Sequence, residues 1–204
     1  MLSNLNEEQK KAVASYSGPV MVFAGAGSGK TRTLTFRIAY MIKEKQINPA
    51  NILAITFTNK ATNEMRERLV NLVGPAIYDT TISTFHSLCA RILRREISVL
   101  GYSNSFSIID DEEQLKVISD ILKENKEERK KAKQLQKIIN NNKCFDILKA
   151  DNPWDDKMAK LYEEKMKRLG LLDFEDLLLK VRDIFVNFPE ILKKYQDKFH
   201  YVLV

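Results

Sequence analysis

The sequence predicts an α/β fold, a parallel sheet flanked by helices with an all-helical portion inserted into it. Three observations predict it. Short β-like runs alternate with amphipathic helices through the first hundred residues, helical texture alone follows, and the chain closes on the β-like "FHYVLV". A strand at the far end of a helical stretch is most useful if it rejoins the first sheet. The expected organisation is therefore residues 1–107 as the first part of one α/β domain, 108–187 as an inserted helical unit, and 188–204 as the return.

Strands are expected at Val20 to Phe23, Ile52 to Phe57 and Thr81 to Ser83. Between the first two lies "AGAGSGKTRTL", followed by a helix with apolar residues at Leu34, Ile38 and Ile42. Strand, glycine-rich loop and helix together form an anion nest, because successive backbone N–H groups point inward and the helix N-terminus adds the positive end of its dipole. Against the pattern G-x-x-x-x-G-K-[ST], Ala24 replaces the first glycine, whereas Gly29, Lys30 and Thr31 fit and Gly25 and Gly27 supply backbone freedom. A turn that merely joined strand to helix would not account for a lysine and a hydroxyl after the last glycine. The chemistry assigns Lys30 to the outer phosphates and Thr31 to magnesium.

The remaining elements follow from stop and start signals. Arg32 to Glu44 is a helix stopped before Pro49, Asn59 to Leu72 a helix capped by Asn59 and ended near Gly74, and Thr84 to Leu100 a helix stopped at Gly101. Further on, Asn152 and Pro153 open a helix that Gly170 closes, and Asp173 starts the next in "LDFEDLLLKV". "FSIIDDEEQ" imitates a strand followed by metal-holding acids. Ser107 interrupts its apolar run, however, and Asp110 and Asp111 open a helix, where the dipole favours carboxylates.

Composition narrows the setting. A net charge of +6 and a pI near 9.2 suit an anionic partner without requiring one. The lysine-rich "KENKEERKKAKQLQK" has acids mixed in and reads as a solvated helix face. Cys89 and Cys144 form no C-x-x-C, which argues for a reduced compartment without a structural disulfide or zinc site. No apolar run approaches the ~18 residues of a membrane span, and the N-terminus has no apolar leader. A soluble cytoplasmic protein is expected.

Five segments in order, "LNEEQKKAV", "AGAGSGKTRTL", "ILAITFTNKATNEMRERL", "TISTFHSLCARILRR" and "GLLDFEDLL", carry a more specific signal. The sequence resembles the N-terminal part of a superfamily 1 DNA helicase of the UvrD, PcrA and Rep type. The resemblance implies a RecA-like motor domain with an inserted helical domain, driven by ATP and Mg2+ in the 3′-5′ direction along single-stranded DNA. It also implies action at junctions of single strand and duplex, in repair or replication, alongside partner proteins of those pathways. Residue by residue, it implies that Gln9 reads the adenine, that Ala24, Gly25, Ala26, Gly27, Ser28, Gly29, Lys30 and Thr31 wrap the phosphates, and that Arg32 lies beside the nucleotide. The alternative for Gln9 is an exposed polar residue of a helix.

For DNA, the resemblance points to Thr56, Phe57, Thr58, Asn59 and Lys60 at one strand-to-helix junction and to Ser83, Thr84, Phe85 and His86 at the next. Aromatics suited to stacking sit there among hydroxyls, an amide and a lysine suited to phosphates. The alternative is a strand end and helix cap with Phe57 in the core. The family's acidic magnesium motif directly follows a strand like "FHYVLV". The sequence is therefore expected to stop short of those carboxylates, and short of the second motor domain with its arginine finger, and to be inactive alone. A motor of the AddA or RecB helicase-nuclease kind is a related alternative that the compact motif spacing disfavours. A stand-alone ATP- or DNA-binding module is the alternative of a different class.

Overall fold

The computed structural model describes residues 2–25, 27–145 and 152–204. Helix α1 (Glu7–Ala14) opens on a capping box, in which the Asn6 side chain accepts from the Gln9 N–H and the Gln9 side chain accepts from the Asn6 N–H. Helix α2 (Lys30–Lys43) starts on Gly29, whose φ of 84° lies in the left-handed region that a Cβ disfavours. Strand β1 (Ile52–Thr56) is buried along its whole length, as a central parallel strand covered on both faces must be. Helix α3 (Asn59–Val73) follows and ends on Gly74. Strand β2 (Thr81–Thr84) runs directly into α4 (Phe85–Glu96), after which a 3-10 turn, Ile97–Leu100, stops at the left-handed Gly101.

Beyond Gly101 come β3 (Ser107–Ile108), α5 (Asp111–Glu124), α6 (Ala132–Phe145), α7 (Pro153–Leu169), β4 (Leu171–Leu172), α8 (Phe174–Asn187), α9 (Pro189–Lys198) and β5 (Tyr201–Leu203). Asp110 caps α5, accepting from the Glu112 and Glu113 N–H groups, so the paired acids do open a helix. Asn152 caps α7 with Pro153 in its first turn, and Gly170 closes it in the left-handed conformation. Asp173 caps α8.

The larger sheet has the order β2-β1-β5, with both neighbours parallel to β1. Leu53 is level with Thr81 on one side and Val202 on the other. Ile38 and Met41 of α2, Met65 and Leu69 of α3, and Ile52, Ala54, Ile82 and Leu203 of the strands form its core. The chain divides into two compact units, Met1–Phe85 with Lys193–Val204, and His86–Leu192. The second unit thus starts at His86, ahead of the boundary expected at 108, because α4 continues β2 without a linker and belongs with the helices after it.

Three further expectations are corrected. Val20 to Phe23 is not a strand: it pairs with none of the strands of the β2-β1-β5 sheet, and a run without a ladder partner stays irregular whatever its composition. Its apolar side chains stay exposed, Phe23 by 90%. The cap of α3 is Thr58, whose hydroxyl accepts from the Ala61 N–H, and not Asn59. The helical unit also carries a little β structure, since β3 and β4 pair in parallel over two residues each.

A buried ion cluster joins the helices of the second unit. Lys143 Nζ lies 2.7 Å from Asp173 Oδ2, 2.9 Å from Asp176 Oδ1 and 2.9 Å from Glu163 Oε1. The Tyr162 hydroxyl donates to the same Asp173 oxygen at 2.8 Å. Burial alone would push the Asp173 carboxyl up, but the Lys143 charge and hydrogen bond hold it below the ordinary range. Asp176 has fewer donors, and burial pushes it up to about 6 against the pull of Lys143.

Candidate functional site

Glycines shape the loop before α2. Gly27 and Gly29 have φ of 76° and 84°, and a Cβ added at Gly25 or Gly27 would meet no atom within 4 Å, so open space faces this backbone. No side chain caps the first turn of α2. The head of a helix, where backbone N–H groups face outward at the positive end of the dipole, suits an anion. The Lys30 ammonium bends back over the loop and donates to the carbonyls of Gly25 at 2.8 Å and Ala24 at 3.2 Å. Ser28 Oγ donates to the Gly25 carbonyl at 2.8 Å. The donor set of this loop fits phosphate oxygens, which can replace carbonyl oxygens around an exchangeable ammonium. Ala26 lies outside the described residues.

Gln9, on α1, comes to this loop, its Nε2 donating to the Ser28 carbonyl at 3.0 Å. Thr31 and Arg32 are exposed in the first turn of α2, and the Arg32 guanidinium stands 5.7 Å from the Phe36 ring centre. Among the described residues no three His, Cys, Asp or Glu side chains gather as a metal site.

The two strand-to-helix junctions lie side by side, because Thr56 at the end of β1 is level with Thr84 at the end of β2. In parallel sheets this carboxyl edge is where ligands bind. The named residues divide there by exposure. Phe57 is 94% exposed, which removes it from the core; Thr58, Asn59 and Lys60, which follow it, and Phe85 at the next junction are exposed as well. Thr56, Ser83 and Thr84 are buried. Thr56 Oγ1 lies 2.6 Å from Thr62 Oγ1, so its hydroxyl ties the start of α3 to the strand end.

His86 opens the second unit and meets Phe174 edge to face, with ring centres 5.9 Å apart. Phe174 is a partner that the sequence does not single out. Helical periodicity places it on the same side of α8 as the buried Leu177, Val181 and Ile184, the pattern of a core residue, yet its ring is exposed at the head of the helix, as is Leu178. Cys89 is buried, and burial pushes its thiol up to about 11.

Comparison with known proteins bears on this geometry. The family model described as UvrD/REP helicase N-terminal domain matches residues 5–204. ATP-dependent DNA helicase PcrA of Bacillus subtilis (strain 168) is 44% identical over 216 residues, covering 100% of this chain and 29% of that protein. Proteins of the same name from Staphylococcus aureus (strain Mu50) and Staphylococcus epidermidis are 42% and 43% identical over 215 residues, each match covering 100% of this chain and 30% of the relative. The chain thus spans about 30% of the length of the curated relatives it matches.

Proposed function

The chain belongs to the UvrD/REP helicase family, matching its N-terminal domain, and from that premise we propose that it is the nucleotide-binding part of an ATP-dependent DNA helicase. In this reading Met1–Phe85 and Lys193–Val204 form a RecA-like motor core, and His86–Leu192 is a helical subdomain inserted in it. Lys30 and the loop N–H groups hold the phosphates of ATP, Thr31 supplies a hydroxyl to Mg2+, and Gln9 and Arg32 lie beside the nucleotide. ATP supplies the free energy for stepping. The exposed rings and polar groups of Phe57, Thr58, Asn59, Lys60, Phe85 and His86 engage single-stranded DNA, with Thr56, Ser83 and Thr84 shaping the turns beneath.

Further parts of the proposal are translocation in the 3′-5′ direction, action at junctions of single strand and duplex, and service in repair or replication in the cytoplasm. Among the described residues no helix is long and apolar enough to cross a membrane. Turnover is assigned to full-length family members, because the chain accounts for only about 30% of its relatives' length. The observation that carries the reading is the left-handed glycine loop with Lys30 folded over it at the start of α2. Titration with a fluorescent ATP analogue and Mg2+ tests it. Saturable binding that Lys30→Ala weakens by roughly 10- to 100-fold is expected from loss of a charged hydrogen bond, and binding indifferent to that substitution contradicts it.

A further inference from the structure

Both ends of the Gln9 amide are engaged within the chain. Oε1 accepts from the Asn6 N–H at 3.2 Å, completing the cap of α1, while Nε2 donates to the Ser28 carbonyl at 3.0 Å. A Cβ built on Gly29 would meet that same Nε2 at 3.1 Å, so the amide lies directly against the loop backbone. In a planar trans peptide the carbonyl and the following N–H point in opposite directions. Drawing the Ser28 carbonyl toward α1 therefore turns the Gly29 N–H away from α1, at the head of a helix whose first turn has no side-chain cap. Backbone N–H groups turned to one side are what an anion nest consists of.

We infer that Gln9 is a positioning residue for the phosphate-binding backbone: it fastens the Ser28–Gly29 peptide with its N–H presented to the phosphates, independently of any base. The inference rests on the reading that this loop takes phosphates. It also gives α1 a purpose in the site, since the backbone N–H of Asn6 holds the Gln9 side chain from behind while its other end holds the loop. A Gln9 that served the base alone would be silent toward a ligand that has phosphates and no base. A Gln9 that fastens the loop would not.

Inorganic tripolyphosphate with Mg2+ is the probe, and calorimetric titration of the full chain is the measurement. Gln9→Ala and Gln9→Met should each weaken tripolyphosphate binding by roughly 3- to 10-fold, the worth of one hydrogen bond. Asn6→Ala removes the side-chain cap of α1 but keeps the Gln9 donor, and should leave binding within about twofold. Unchanged tripolyphosphate affinity in both Gln9 variants, with ATP affinity reduced, would overturn the inference. A loss in Asn6→Ala equal to that in Gln9→Ala would overturn it too, by tracing the effect to the stability of α1. If Lys30→Ala leaves tripolyphosphate binding unaltered, the loop is not the phosphate site, and the functional reading falls together with the inference.

Discussion

Phe57 places a 94% exposed ring one residue beyond the end of β1, where the chain turns into α3. An exposed phenylalanine at a ligand-binding sheet edge gains little by folding and much by stacking on a base. Phe57→Ala should therefore weaken binding of an oligothymidine by roughly 1 to 3 kcal/mol while leaving the melting temperature unmoved, because no buried contact is lost. Anisotropy titration beside thermal melting separates the two effects, and a large melting loss with unaltered affinity would return the ring to the core. Lys30, Thr31 and the glycines stand out as candidates because their order in sequence matches a phosphate-loop pattern. The bond from Gln9 to Ser28 does not, since no spacing rule joins a helix residue to a loop carbonyl distant in sequence. The cap at Thr58 was missed because Thr and Asn are both good caps and stand side by side.

Helices proved easier to read than strands. Asn152 with Pro153, Gly170, Asp173 and Asp110 announce their helix ends locally, and each does what its side chain or backbone freedom dictates. The run Val20 to Phe23 has the composition of a strand but no partner in the β2-β1-β5 sheet, and a strand is a property of two chains rather than one. The Lys143 cluster was equally invisible, since Lys143, Glu163, Asp173 and Asp176 come from three helices and a cap. It sets a pH dependence for the helical unit. Burial, opposed by Lys143 and Lys180 but reinforced by Asp173 and Glu163, raises the Asp176 carboxyl to about 6. The folded state then holds this proton more tightly than the unfolded chain, so the group's contribution to stability is present at low pH and is lost as pH rises from about 4 to 6. Asp176→Asn lacks that proton. Its melting temperature should fall further below wild type at about pH 5 than at about pH 7.5, and a gap independent of pH would contradict the assignment.

At the scale of the molecule, the return of β5 to β1 encloses the helical unit in sequence between two parts of the first, and "FHYVLV" made that return legible because β character reappears there after a long helical stretch. The boundary near His86 was not legible, as a strand running straight into a helix leaves no composition shift to mark it. The central proposal is that this sequence serves as the ATP-binding part of a helicase motor. The direct test is a chimera in which the chain replaces its 44% identical counterpart in the PcrA helicase of Bacillus subtilis, assayed for ATP turnover with and without single-stranded DNA. The expected result is magnesium-dependent turnover that single strands stimulate and that Lys30→Ala abolishes. Stimulated turnover that survives Lys30→Ala, or a folded chimera that binds nucleotide and never responds to DNA, would contradict it.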